Sequence, residues 1–193
     1  MKRALLVLLL VAFALSGCGG SKQGAATSTI PIGPVLPAAA TRQEWADRIV
    51  NIFLRPLNKD LNVLTNFNNP QIQLYIASQN PTTLQIIKTR MNDLLRCSNK
   101  LVQIGPPPGN DPKLTSIDEK FHKACDDYET VAAAVQQATP LLASGRNDVM
   151  AEGTKKLRAV RDESGRAGNN FLAAVRIAQT LPEFRRAGLK KSV

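Results

Sequence analysis

Histidine, cysteine and aromatic residues are all scarce in this 193-residue chain, which holds one histidine, three cysteines and 5% aromatics. A single histidine leaves a Ser–His or Cys–His pair only one possible base, His122, and no serine or cysteine motif singles out a partner for it. The chain contains no Gly-x-Ser-x-Gly, no Gly-rich phosphate loop, no Cys-x-x-Cys and no Cys-x-x-Cys-His. The nucleophile elbow, the nucleotide cradle, the zinc knuckle and the c-type haem attachment therefore lack their residues. So few aromatic rings argue against stacking platforms for sugars or single-stranded nucleic acid. The longest apolar run, Ala4 to Leu15, falls short of the roughly 20 residues that cross a bilayer. Acidic residues are also outnumbered, 15 against 25 basic ones, for a formal charge of +10.

What is present begins at the N-terminus. Lys2 and Arg3 precede the short apolar run, and Leu15-Ser16-Gly17-Cys18 follows with small residues before a cysteine. That order reads as a secretory signal over residues 1 to 17. It resembles the lipobox of bacterial lipoproteins, in which the cysteine thiol takes a lipid, the signal is cut just before it and the new N-terminus is acylated. The resemblance implies that Cys18 carries acyl chains such as palmitate and holds the rest of the chain at a membrane on its extracytoplasmic side. Loss of Lys2 and Arg3 with the signal takes the formal charge to +8, since no acidic residue precedes Cys18.

Residues 18 to 41 read as the lipidated cysteine and a tether of Gly, Ala, Ser, Thr and Pro, stiffened by Pro31, Pro34 and Pro37. Order is predicted from Thr41. Thr41 and Glu44 have the spacing of a capping box ahead of Trp45, Ile49, Ile52 and Phe53, giving a helix from Arg42 to Phe67 that is kinked or broken at Pro56. Residues 70 to 79 read as a short helix opened by Asn69-Pro70. Asn80-Pro81 opens another, whose Leu84, Ile87, Met91, Leu94, Ser98 and Leu101 share a face until Gly105. After the proline turn, Leu114, Ile117, Phe121, Ala124, Tyr128, Val131, Val135, Ala138 and Leu142 recur in three-four alternation. A last helix carries Met150, Gly153, Leu157, Val160, Ser164, Ala167, Phe171, Ala174, Ala178 and Leu181 in the same pattern. Successive seams near period 3.5 joined by short loops predict an all-α fold: an antiparallel four-helix bundle over residues 42 to 182 with a short extra helix. Residues 183 to 193 read as a basic C-terminal tail.

With Cys18 committed to lipid, Cys97 and Cys125 remain, and an oxidising exterior favours a disulfide between two neighbouring helices; the alternatives are two free thiols or a metal pair, the latter disfavoured by the long spacing and the single histidine. Glu119, His122 and Asp126 fall on one helical face, as in half of a di-iron site, but the chain has no second histidine to complete such a centre. No metal, cofactor or catalytic residue is assigned. Lys155, Lys156, Arg158, Arg161 and Arg166 are interrupted by Asp162 and Glu163 and read as a solvated helix face. Arg185, Arg186, Lys190 and Lys191 could lean on an anionic surface.

Leu101-Val102-Gln103-Ile104-Gly105-Pro106-Pro107, a helix holding Phe121-His122 and a further long helix together are similar to helical-bundle envelope proteins of actinobacteria, over roughly residues 84 to 180. That similarity implies a location and a shape; it carries over no activity, ligand or catalytic residue. The sequence therefore predicts a membrane-anchored, non-enzymatic binding module of the cell envelope. Its partner is an envelope protein or an anionic envelope polymer, not nucleic acid. Carriage of a small apolar ligand between helices is the alternative, and a metal-dependent enzyme on the Glu119, His122 and Asp126 face is the third reading.

Overall fold

Four of the helices start where the sequence supplies a side-chain acceptor for otherwise unpaired backbone N–H groups. Thr41 accepts from the Glu44 amide at 3.1 Å, Asn69 from Gln71 at 2.9 Å, Asn80 from Thr83 at 2.9 Å and Asp111 from Lys113 at 2.8 Å. Proline follows three of these caps in the first turn, where a missing donor costs nothing. The computed structural model describes residues 34–67 and 69–190, and all of its regular elements are helical. They are α1 (Arg42–Arg48), a π-helical stretch (Ile49–Leu54), α2 (Arg55–Asn66), α3 (Pro70–Ala77), α4 (Pro81–Leu94), α5 (Cys97–Ile104), α6 (Pro112–Leu142), α7 (Asn147–Ala159), α8 (Arg161–Thr180) and α9 (Pro182–Arg186). The expected signal region, Cys18 and most of the expected tether lie outside the described residues.

The 31-residue α6 is the axis of a helical bundle. Its seam from Leu114 to Leu142 is buried throughout, as predicted, and α4, α5, α7 and α8 all pack against it. Aromatic rings form a ladder through this core. Phe53 meets Phe121 at 5.0 Å between centroids, Phe121 meets Phe171 at 5.8 Å, and Phe171 meets Tyr128 at 6.4 Å. At the end where α6 begins, Trp45 stands edge-on to Phe184 at 5.8 Å and donates its indole N–H to the Gly105 carbonyl at 3.1 Å. The opposite end is closed by α3, the short helix expected there, and Gln79 donates to the Ala143 carbonyl at 3.1 Å.

The structure departs from the sequence expectations at five places. Pro56 does not break its helix. The turn before it widens into the π-helical stretch, with the Arg55 amide bonded to Val50, so the ladder is re-registered around a residue that has no N–H to give. The helix expected from residue 81 to Gly105 is interrupted at Leu95 and Arg96. This interruption turns Cys97 into the core and leaves Ser98, the expected seam residue, at its edge. The last long helix pauses at Val160, a β-branched residue with φ −108° and ψ 18°, and resumes as α8 at once. The fold also begins before Thr41, since Ala39 is buried and the Leu36 amide donates to Gln103 at 3.0 Å. Finally, the expected tail from residue 183 begins as α9, whose Phe184 is fully buried. No helix among the described residues is long and apolar enough to cross a membrane.

Candidate functional site

The two cysteines on α5 and α6 are joined. Cys97 and Cys125 form a disulfide with Cα atoms 5.2 Å apart, both fully buried. The neighbouring turn of α6 supports the restart of α5: Glu129 accepts from the Ser98 amide at 2.7 Å, and Asp126 accepts from the Ser98 hydroxyl at 3.4 Å. A carboxylate reaching across from one helix thus caps the N-terminus of its neighbour beside the cross-link. Burial pushes the Glu129 carboxyl above its ordinary range, and the Ser98 amide only partly offsets this.

Glu119, His122 and Asp126 do not converge. His122 points its Nε2 toward Asp118 at 3.9 Å, Asp126 is turned to Ser98 and Glu119 is exposed. Burial raises the Asp118 carboxyl, His122 pulls it down and Glu119 pushes it further up. Among the described residues no three metal-ligating side chains gather in one place.

The densest charged group is one that sequence reasoning missed. Asp60 lies on the apolar stripe of α2, three residues after Leu57 and four before Leu64, and is only 1% exposed. Arg90 on α4 reaches its Oδ1 at 3.4 Å and Lys100 on α5 its Oδ2 at 3.5 Å. Burial raises the Asp60 carboxyl, Lys100 and Arg90 oppose that shift, and Asp93 reinforces it. These groups floor a cleft of about 450 Å³ whose rim carries Arg55 and Lys59, and neither has a carboxylate partner among the described residues. An acid placed on a three-four apolar stripe was the available signal. Four cations around two carboxylates hold a net positive charge, an arrangement suited to attracting an anion.

The C-terminal cations sit close by. Arg185, Arg186 and Lys190 are exposed on and just after α9, with Arg186 donating to the Gln43 side chain at 2.8 Å. Lys191 lies outside the described residues. The Arg55 guanidinium lies across Gly188, so close that a Cβ there would come within 3.2 Å of it. In the basic cluster on α7 and α8, Arg166 bridges Asp127 at 3.0 Å and Glu163 at 3.2 Å, and Lys156 reaches Gln137 at 3.4 Å. Arg158 and Arg161 flank a groove of about 470 Å³ lined by Leu64, Phe67, Val131 and Val135. A second, more apolar cleft of about 400 Å³ runs between α2, α3 and α4, lined by Val63, Ile72, Ile86 and Ile87, with Ile86 48% exposed.

The chain matches no protein-family model, no curated protein and no solved structure.

Proposed function

We propose that the chain is a cell-envelope lipoprotein, anchored on the extracytoplasmic side of a membrane by acyl chains on Cys18, and that its helical domain is a non-enzymatic binding module. The domain is a four-helix bundle in this reading. Its staves are α1 continued through the π-helical stretch into α2, α4 continued into α5, α6 alone, and α7 continued into α8, while α3 and α9 are short additions. The Leu15-Ser16-Gly17-Cys18 order after a short apolar run carries the proposal. The Cys97–Cys125 disulfide supports it, because such bonds persist in oxidising compartments and are rare in the cytosol. A chain cross-linked inside its core and carrying a lipobox is best suited to work outside the cytosol.

The test is mass spectrometry of the protein made in a lipoprotein-processing bacterium. The expected product begins at Cys18, carries the mass of its acyl chains and partitions with membranes, whereas Cys18→Ala moves it to the soluble fraction. An unmodified thiol at position 18, or an intact precursor in the cytoplasm, would sink the proposal.

The cleft between α2, α3 and α4 favours a second reading, carriage of a small apolar ligand, because Val63, Ile72, Ile86 and Ile87 give it a mostly apolar surface. An environment-sensitive apolar dye should then bind with one-site stoichiometry and be displaced in Ile72→Trp. Unchanged dye binding in that variant would remove this reading.

A further inference from the structure

We propose that the end of the bundle bearing α9 is a contact surface for anionic phospholipid headgroups, so that the tethered domain rests on its membrane with this end down. The proposal builds on the lipid-anchor reading and names the face that the anchored domain presents to the bilayer.

Two observations converge on this end. The first is where the chain arriving from Cys18 meets the fold. Leu36 bonds to Gln103 in the last turn of α5, and Arg48 on α1 donates to the Pro37 carbonyl at 2.6 Å. Helix α9 packs on α1 through Phe184 against Trp45 and through Arg186 to Gln43, so the tether leaves the domain beside the basic helix. The second is the charge balance of this end. The carboxylates of Asp111 and Glu183 both face Arg42, at 2.9 and 3.1 Å, and Glu44 pairs with Arg48. Asp47 accepts from the Gln43 side chain at 3.1 Å. Arg185, Arg186 and Lys190 have no carboxylate partner among the described residues, and Arg55, lying across Gly188, extends the same positive surface toward Lys59.

The tether makes such a surface effective. Seventeen residues separate Cys18 from Leu36, a reach of roughly 60 Å at full extension, so every face of the domain can find the bilayer. Confinement near the membrane raises the local headgroup concentration, and a handful of cations that would bind weakly from solution is then enough to select one orientation. Negative headgroups complement the unpaired guanidinium and ammonium groups, and no unpaired apolar insertion is required.

The experiment uses the chain from residue 18 onward with Cys18→Ser, so that no acyl chain contributes, and vesicles of phosphatidylcholine with or without 30% phosphatidylglycerol (on the order of physiological anionic content). The expected result is sedimentation with the anionic vesicles only, weakening as salt is raised. Arg185→Ala with Arg186→Ala should lower the partition coefficient about 25-fold, close to fivefold per cation removed, while the melting curve confirms that the variant is folded. If the double variant fails to fold, hydrogen–deuterium exchange on wild-type protein decides the matter: vesicles should slow exchange over residues 182–190 and leave α3 unchanged. Equal binding to neutral vesicles, an unchanged partition coefficient in the folded variant, or protection at α3 instead of α9 would overturn the proposal. So would retention by a soluble anionic polysaccharide with none by vesicles, which would assign the surface to wall polymer. Acylation of Cys18 is read separately by mass, so failure of the surface and failure of the anchor remain distinct results.

Discussion

Three helix-interior glycines have opposite roles that only their surroundings reveal. Gly153 lets α7 close on α6: a Cβ there would stand 3.1 Å from Leu141 and Leu142 and 3.2 Å from the Ala138 carbonyl, whereas Gly165 and Gly168 face open space. Gly153→Val should therefore cost about 2 to 3 kcal/mol by overpacking. Gly165→Ala and Gly168→Ala should each add about 0.5 to 1 kcal/mol through helix propensity. Denaturant melts of the three variants check both signs. Glu129 gives a pH-dependent case. Its carboxyl is raised above 4.5 by burial, so the native state holds the proton more tightly than the unfolded chain does, and stability falls as pH climbs from about 4.5 through the raised value. Glu129→Gln keeps an amide oxygen facing the Ser98 amide but removes that titration. The melting temperature of wild type relative to the variant should drop as pH rises above about 4.5 and level off once the carboxyl is ionised in the native state; a constant difference would count against the burial argument. The sequence made Gly153 visible as a seam position. Glu129 was invisible, because its partner amide lies 31 residues away on a helix whose start was misplaced.

At the scale of elements, legibility followed continuity of pattern. The seam of α6 could be read residue by residue because nothing interrupts its three-four alternation and every position on it is buried. The break between α4 and α5 could not, since Leu95 and Arg96 are ordinary helix formers and the restart is secured from outside, by the disulfide and by Glu129. The pairing of Asp60 was hidden for the same reason: the two cations that reach it come from helices 30 and 40 residues further on. Helix α9 shows how charge can mask packing. Arg185 and Arg186 made the segment look like a solvated tail, yet the single aromatic residue between Glu183 and Arg185 docks on Trp45. Phe184→Ala should cost about 3 to 5 kcal/mol, the range for emptying a buried aromatic site, and lower the melting temperature accordingly. A melt indistinguishable from wild type would restore the tail reading.

For the molecule as a whole, the cross-link is a stabiliser that reduction removes without changing any other residue. The disulfide spans 28 positions, and the chain-entropy relation assigns a loop of that size about 3 to 4 kcal/mol. Reduction, or Cys97→Ser with Cys125→Ser, should lower the melting temperature by roughly 10 °C, and calorimetry with and without reductant measures it. All-α character and the cysteine pairing were legible because composition, periodicity and cysteine count all pointed the same way. The two ends of the bundle were not, since which surfaces share an end depends on how α1, α5 and α9 meet.

The π-helical stretch at Ile49–Leu54 ties those levels together. A single wide turn is the footprint of one inserted residue, and in an ordinary helix each residue advances the chain by about 100° and 1.5 Å. Excising one residue from that turn would spin everything upstream of it by that angle. Trp45 would swing out of its socket, Phe184 would lose its lid, and the segment from Leu36 to Thr41 would meet the bundle on a different side. One extra amino acid beside a proline thus acts as the dial that sets which side of the bundle Trp45 and Phe184 close.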